Sequence, residues 1–113
     1  LFPGNCIPNE DTALVRIGPD VDIQVVSDRA GPVHVRIPPE DIIVSRTPIE
    51  SSARNSYQGT ITSAVVEDGH IRLTLDIGIP LSVIITKQSL NEMALHVDDR
   101  VHATFKTSAV QVY

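Results

Sequence analysis

Tyr57-Gln58-Gly59-Thr60-Ile61-Thr62-Ser63-Ala64-Val65-Val66-Glu67-Asp68-Gly69-His70-Ile71-Arg72-Leu73-Thr74-Leu75-Asp76 decides the fold. Asp68-Gly69 between apolar flanks is a strong tight-hairpin signal, because both residues tolerate the positive φ that a two-residue turn needs. After it, Ile71, Leu73 and Leu75 alternate with Arg72, Thr74 and Asp76. That period of two marks a half-buried strand, and 57–67 reads as its long partner.

Outward from this hairpin the β signal continues in both directions. Val21, Ile23 and Val25 alternate with Asp22 and Gln24, and Val33, Val35 and Ile37 with His34 and Arg36. Gly18-Pro19-Asp20 and 28–32 read as connections, while Leu1 to Asp11, with its Pro and Gly, reads as turn-rich. Leu81 to Ile85 is almost continuously apolar, which predicts burial on both faces and a subunit contact. Lys87 to Leu95 is the one predicted helix, with Thr86 or Ser89 placed to cap it. Val101, Ala103 and Phe105 alternate with His102, Thr104 and Lys106, and 109–113 closes the chain as a strand. Five strands with a short helix before the closing pair predict an all-β fold, a small OB-type barrel over 49–113. A smaller β module over 1–48 precedes it, with Pro38-Pro39 and Thr47-Pro48 as breaks.

Composition excludes several functions. The chain has 113 residues, a net charge of −5 and 4% aromatic residues. Basic surface and stacking platforms for nucleic acid are therefore not expected. One cysteine excludes an internal disulfide and a cysteine metal cluster, and the four histidines have no metal-ligand spacing. No apolar run approaches the ~20 residues of a membrane helix, and no signal-peptide pattern is present. The chain opens on Leu1 rather than Met, as expected of a piece of something longer. Neither Gly-x-x-x-x-Gly-Lys-Ser/Thr nor Gly-x-Ser-x-Gly occurs, so no nucleotide hydrolysis or esterase chemistry is expected of this chain.

Two short segments carry chemistry. Ser51-Ser52-Ala53-Arg54-Asn55 and Lys106-Thr107-Ser108 each join a cation to small hydroxyl residues without a carboxylate. Arg54 offers a rigid fork of donors and Lys106 a compact charge. A site made only of donors suits a tetrahedral oxyanion that carries no proton. Phosphate, which keeps a proton near neutral pH, wants an acceptor there.

Ser52-Ala53-Arg54-Asn55, Gly59, Ile84-Ile85-Thr86 with Ser89, and Lys106-Thr107-Ser108 resemble, in order and spacing, the Mop or TOBE domain. This is the domain of molbindins and of molybdate and tungstate transporter ATPases. Ile37-Pro38-Pro39-Glu40-Asp41-Ile42 is similar to a segment of the same ATPases, with Pro38 where they have Arg. The resemblance implies that Ser52, Arg54, Asn55, Lys106, Thr107 and Ser108 of one chain hold molybdate or tungstate. Thr86 and Ser89 would reach in from a second subunit of a homodimer, although helix capping alone explains them equally well. It implies no other cofactor. It also implies a regulatory part of a cytoplasmic transport ATPase beside a nucleotide-binding domain and a permease, without membrane insertion of its own. Alternatives are the effector domain of a molybdate-responsive transcription regulator and a molbindin-type storage protein.

Overall fold

In the computed structural model, which describes residues 1–50, 53 and 55–113, the chain is built almost wholly of strands. The first group is β1 (Phe2–Asn9), β2 (Thr12–Ile17), β3 (Val21–Val25) and β4 (Gly31–Arg36). A 3-10 turn, Pro39–Asp41, leads to β5 (Ile43–Ser45). The second group is β6 (Asn55–Glu67), β7 (His70–Asp76), β8 (Pro80–Thr86), the helix α1 (Lys87–Glu92) and β9 (Arg100–Phe105). A second 3-10 turn, Thr107–Ala109, precedes β10 (Gln111–Val112). No helix among the described residues is long and apolar enough to cross a membrane.

The predicted hairpin is present. Glu67 faces His70 in register, and Asp68 and Gly69 take φ of 42° and 83°, as a primed turn requires. Ile71, Leu73 and Leu75 point inward and are buried. β8 differs from expectation, because Leu81 and Val83 are buried while Ser82, Ile84 and Ile85 are only half-buried. It is a one-sided strand, with Pro80, Ser82, Ile84 and Thr86 on its outer phase.

The first eleven residues also differ from expectation. They form a strand, β1, paired to β2 on one side and β4 on the other. Pro3, Gly4 and Pro8 are accommodated within it. Gly4 is required by contact, since a Cβ there would lie 2.6 Å from Val15 Cγ1 and 2.9 Å from the Arg16 carbonyl. Gly59 faces the same restriction in β6, with Ile77 Cγ2 at 2.8 Å and the Asp76 carbonyl at 3.0 Å.

The correspondence of these glycines reflects an internal repeat. Two five-stranded sheets have the orders β10-β4-β1-β2-β3 and β5-β9-β6-β7-β8. Reading β1 to β4 onto β6 to β9 superposes their pairings: Gly4 faces Val33 as Gly59 faces Val101, and Phe2 faces Val35 as Tyr57 faces Ala103. The fifth strands are exchanged. β5 leaves the first group to pair with β9, and β10 returns from the second to pair with β4. The expected boundary at residue 48 falls just after β5, and strands cross it in both directions. Both sheets contribute to one apolar cluster, with Ile23, Val15 and Val35 from one, and Phe105, Leu73 and Ile61 from the other.

Candidate functional site

Lys106 follows β9 as the cap of the second 3-10 turn, in extended backbone (φ −78°, ψ 150°). The turn closes through the Ala109 amide on the Lys106 carbonyl at 3.1 Å and the Val110 amide on the Thr107 carbonyl at 3.3 Å. Lys106 and Ser108 line a cavity of about 450 Å³ beside this turn. Ala53, Phe105, Ile43 and Asp41 line the same cavity. Lys106 is exposed, and among the described residues it forms no ion pair. Two segments more than fifty residues apart thus meet, because β6 and β9 are neighbours and Asn55 faces Phe105 in register.

Ser52 and Arg54 lie outside the described residues, on either side of Ala53. Thr107 lies in the turn but does not line the cavity. Thr86 and Ser89 do not line it either. Thr86 caps α1, its hydroxyl accepting the Ser89 amide at 3.0 Å and donating to the Ser89 hydroxyl at 3.0 Å. The cavity is also not lined by donors alone. Asp41, from the first 3-10 turn, brings a carboxylate that the two sequence segments lack.

Asn55, expected among the ligating residues, is 1% exposed and its carboxamide is engaged elsewhere. Its Oδ1 accepts the Gln24 amide at 2.9 Å, and its Nδ2 donates to the Gln24 carbonyl at 2.8 Å. The carboxamide therefore acts as a strand partner for β3, the open edge of the first sheet. The Tyr57 hydroxyl donates within the same network, 2.6 Å from the Asp22 carbonyl and 2.9 Å from Asn55 Oδ1. Burial, with the Asp22 charge adding to it, pushes the Tyr57 phenol well above its ordinary range, so the hydroxyl stays protonated. The Tyr57 ring stacks on Phe105 with centroids 5.8 Å apart. Sequence reading missed Gln24, Asp22 and Tyr57. Only the polar character of Asn55 and Tyr57 beside a donor-rich segment signals them.

Arg46 anchors the connection that leads toward Ala53. Its guanidinium donates to the Met93 carbonyl at 3.1 Å, the Ala94 carbonyl at 2.6 Å and Asp99 at 3.0 Å. The backbone amide of His96 and the Arg46 guanidinium hold the Asp99 carboxyl below its usual range.

A cation and a hydroxyl beside a strand entry, on a pair of five-stranded sheets, are the features of a small binding domain. Residues 51–112 match the TOBE domain model, and the chain belongs to the TOBE domain family. The chain is 37% identical over 84 residues to the molybdate/tungstate import ATP-binding protein WtpC of Pyrococcus abyssi, covering 74% of this chain and 24% of that protein. It is 33% identical over 101 residues to WtpC of Pyrococcus horikoshii, covering 88% of this chain and 29% of that protein. The chain thus spans about a quarter of the length of these relatives. Among solved structures, the cytoplasmic molybdate-binding protein ModG with molybdate bound superposes with a TM-score of 0.83 at 18% identity. That match covers 98% of this chain and 92% of ModG, and it shows the shared fold.

Proposed function

We propose that this chain binds molybdate or tungstate and serves as a regulatory part of an oxyanion importer's ATP-binding subunit. The observation that carries this reading is the cavity where Ala53, Lys106 and Ser108 converge on a TOBE scaffold. Lys106 and Arg54 supply the charge, and Ser52 and Ser108 supply neutral donors. Charge-assisted hydrogen bonds of this kind are about twice as strong as neutral ones. Thr86 and Ser89 complete the site from the partner chain of a homodimer. Relatives that are import ATP-binding proteins favour this role over a transcription regulator or a storage protein.

Bound oxyanion would bias paired domains toward one arrangement, and with them the attached nucleotide-binding domain and permease at the cytoplasmic face of the membrane. The bias can be no larger than the difference in the anion's affinity for the two arrangements. Titration calorimetry with molybdate, tungstate, sulfate and phosphate tests the reading. The first two should bind more tightly than the smaller sulfate, and phosphate tests whether the Asp41 carboxylate admits a protonated anion. Ligand at ~100 times its dissociation constant should stabilise the fold by about 2.7 kcal/mol. Lys106→Ala should abolish that gain without unfolding the protein. A wild-type protein that binds neither molybdate nor tungstate refutes the proposal.

A further inference from the structure

The internal repeat supplies a comparison within one molecule. In the second half, the start of β6 is tied to the edge strand β3 through Asn55 and Tyr57. The matching place in the first half lies between the start of β1 and the edge strand β8. There Phe2 stands where Tyr57 would, without a hydroxyl, and Pro80 and Ser82 stand where Asp22 and Gln24 would. No polar tie forms among these residues. Instead they border an open cavity of about 340 Å³. The counterpart of Asn55 itself would fall before Leu1, so the comparison covers only Tyr57, Asp22 and Gln24.

The tie also reaches the candidate anion cavity from a second side. Phe105 lines that cavity and stacks on the Tyr57 ring. The Tyr57 hydroxyl in turn shares its one proton between the Asp22 carbonyl, at 2.6 Å, and Asn55 Oδ1, at 2.9 Å. From the cavity wall to the backbone of β3 there is one continuous set of contacts, and Asn55 directly follows residue 54 in the chain.

Taking the anion reading above as its basis, we propose that Asn55 and Tyr57 are positioning residues that fasten the donor segment to the first sheet, so that anion binding and closure of the β3 edge are linked. Asn55 acts here through its side chain, which is engaged with β3. Its carboxamide completes the hydrogen bonding of Gln24, and Tyr57 holds that carboxamide in place. The first sheet, which brings no donor of its own to the anion, is then the element that feels whether the site is filled. This gives the binding event a route out of its own module.

Hydrogen exchange and calorimetry on the whole chain, with sodium molybdate as the probe, test the link. In the wild type, molybdate should slow exchange of the Gln24 amide. A purely structural tie would slow the Gln24 amide only as much as protected amides elsewhere in the two sheets, through the ligand's general stabilisation of the fold, and this result would overturn the proposal. Tyr57→Phe removes only a hydroxyl that contacts no anion, and it should weaken molybdate binding about three- to thirtyfold, the range carried by one or two hydrogen bonds. Asn55→Ala should weaken binding at least as much and release the Gln24 amide even without ligand. If Asn55→Ala does not fold, Tyr57→Phe decides alone. Normal molybdate affinity in Tyr57→Phe, in a protein whose wild type binds, sinks the positioning role and leaves the anion site standing. A wild type that binds no molybdate removes both.

Discussion

Thr104, near the end of β9, is 1% exposed and its hydroxyl has no hydrogen-bond partner among the described residues. A buried hydroxyl without a partner costs roughly 1–3 kcal/mol by mutational measure. Thr104→Val keeps the β-branched shape and removes the orphaned oxygen, so it should stabilise the protein by about 1 kcal/mol. Urea denaturation checks this, and a destabilised variant would mean that the hydroxyl has a use the fold does not display. Asp99 supplies a pH prediction. Its folded pKa is lowered, chiefly by the His96 amide and then by Arg46. Its contribution is therefore present above the ordinary carboxylate pKa of about 3.9 and lost as pH falls through the lower folded value. Melting temperature followed between about pH 2 and pH 5 should fall less steeply in Asp99→Asn than in the wild type. At this scale the sequence was only partly legible. Lys106 and Ser108 could be picked out by chemistry alone, and they share a cavity with Ala53. Asn55 could be picked out too, but the partner of its carboxamide could not. That partner is backbone, and backbone at Gln24 looks like backbone anywhere.

Among the elements, the hairpin of β6 and β7 was legible because a turn dipeptide and a period of two agree locally. The capped helix after Thr86 was legible for the same reason, although it ends at Glu92 rather than Leu95. β1 was not. Its Pro and Gly argue for turns, and only the two strands flanking it override that local preference. β10 was read as a strand, but its destination was hidden: Gln111 and Val112 pair with Arg36 and Val35 of the first sheet. The His34 and Tyr113 backbones extend that pairing with bonds of 2.9 and 2.8 Å. Deleting residues 110–113 should therefore weaken the first sheet, although the deletion lies in the second half of the sequence. Val110 is buried and Val112 half-buried, so the loss should be about 2–4 kcal/mol. Hydrogen exchange should locate the damage at β4. Unchanged protection of β4 would contradict the pairing.

For the molecule as a whole, composition and pattern were enough for an all-β fold with one short helix and two groups of strands. They were not enough for the way the groups are joined, because an exchanged strand is set by contacts about seventy residues apart and leaves no local mark. Residues 43–45 read as the end of the first module and belong to the second sheet. One apolar cluster spans both sheets, so thermal unfolding should be a single transition seen alike by Tyr57 and by far-ultraviolet dichroism. Two separated steps would show that the sheets melt independently.

The traded strands carry a practical corollary for anyone who cuts the gene. Produced as two polypeptides, 1–49 and 50–113, the pieces should seek each other out and copurify as a one-to-one complex, each holding the strip the other lacks. Made alone, either piece would present a bare sheet margin and clump. A fusion or truncation placed at residue 48, where the primary structure invites it, strips a border from both sheets at once.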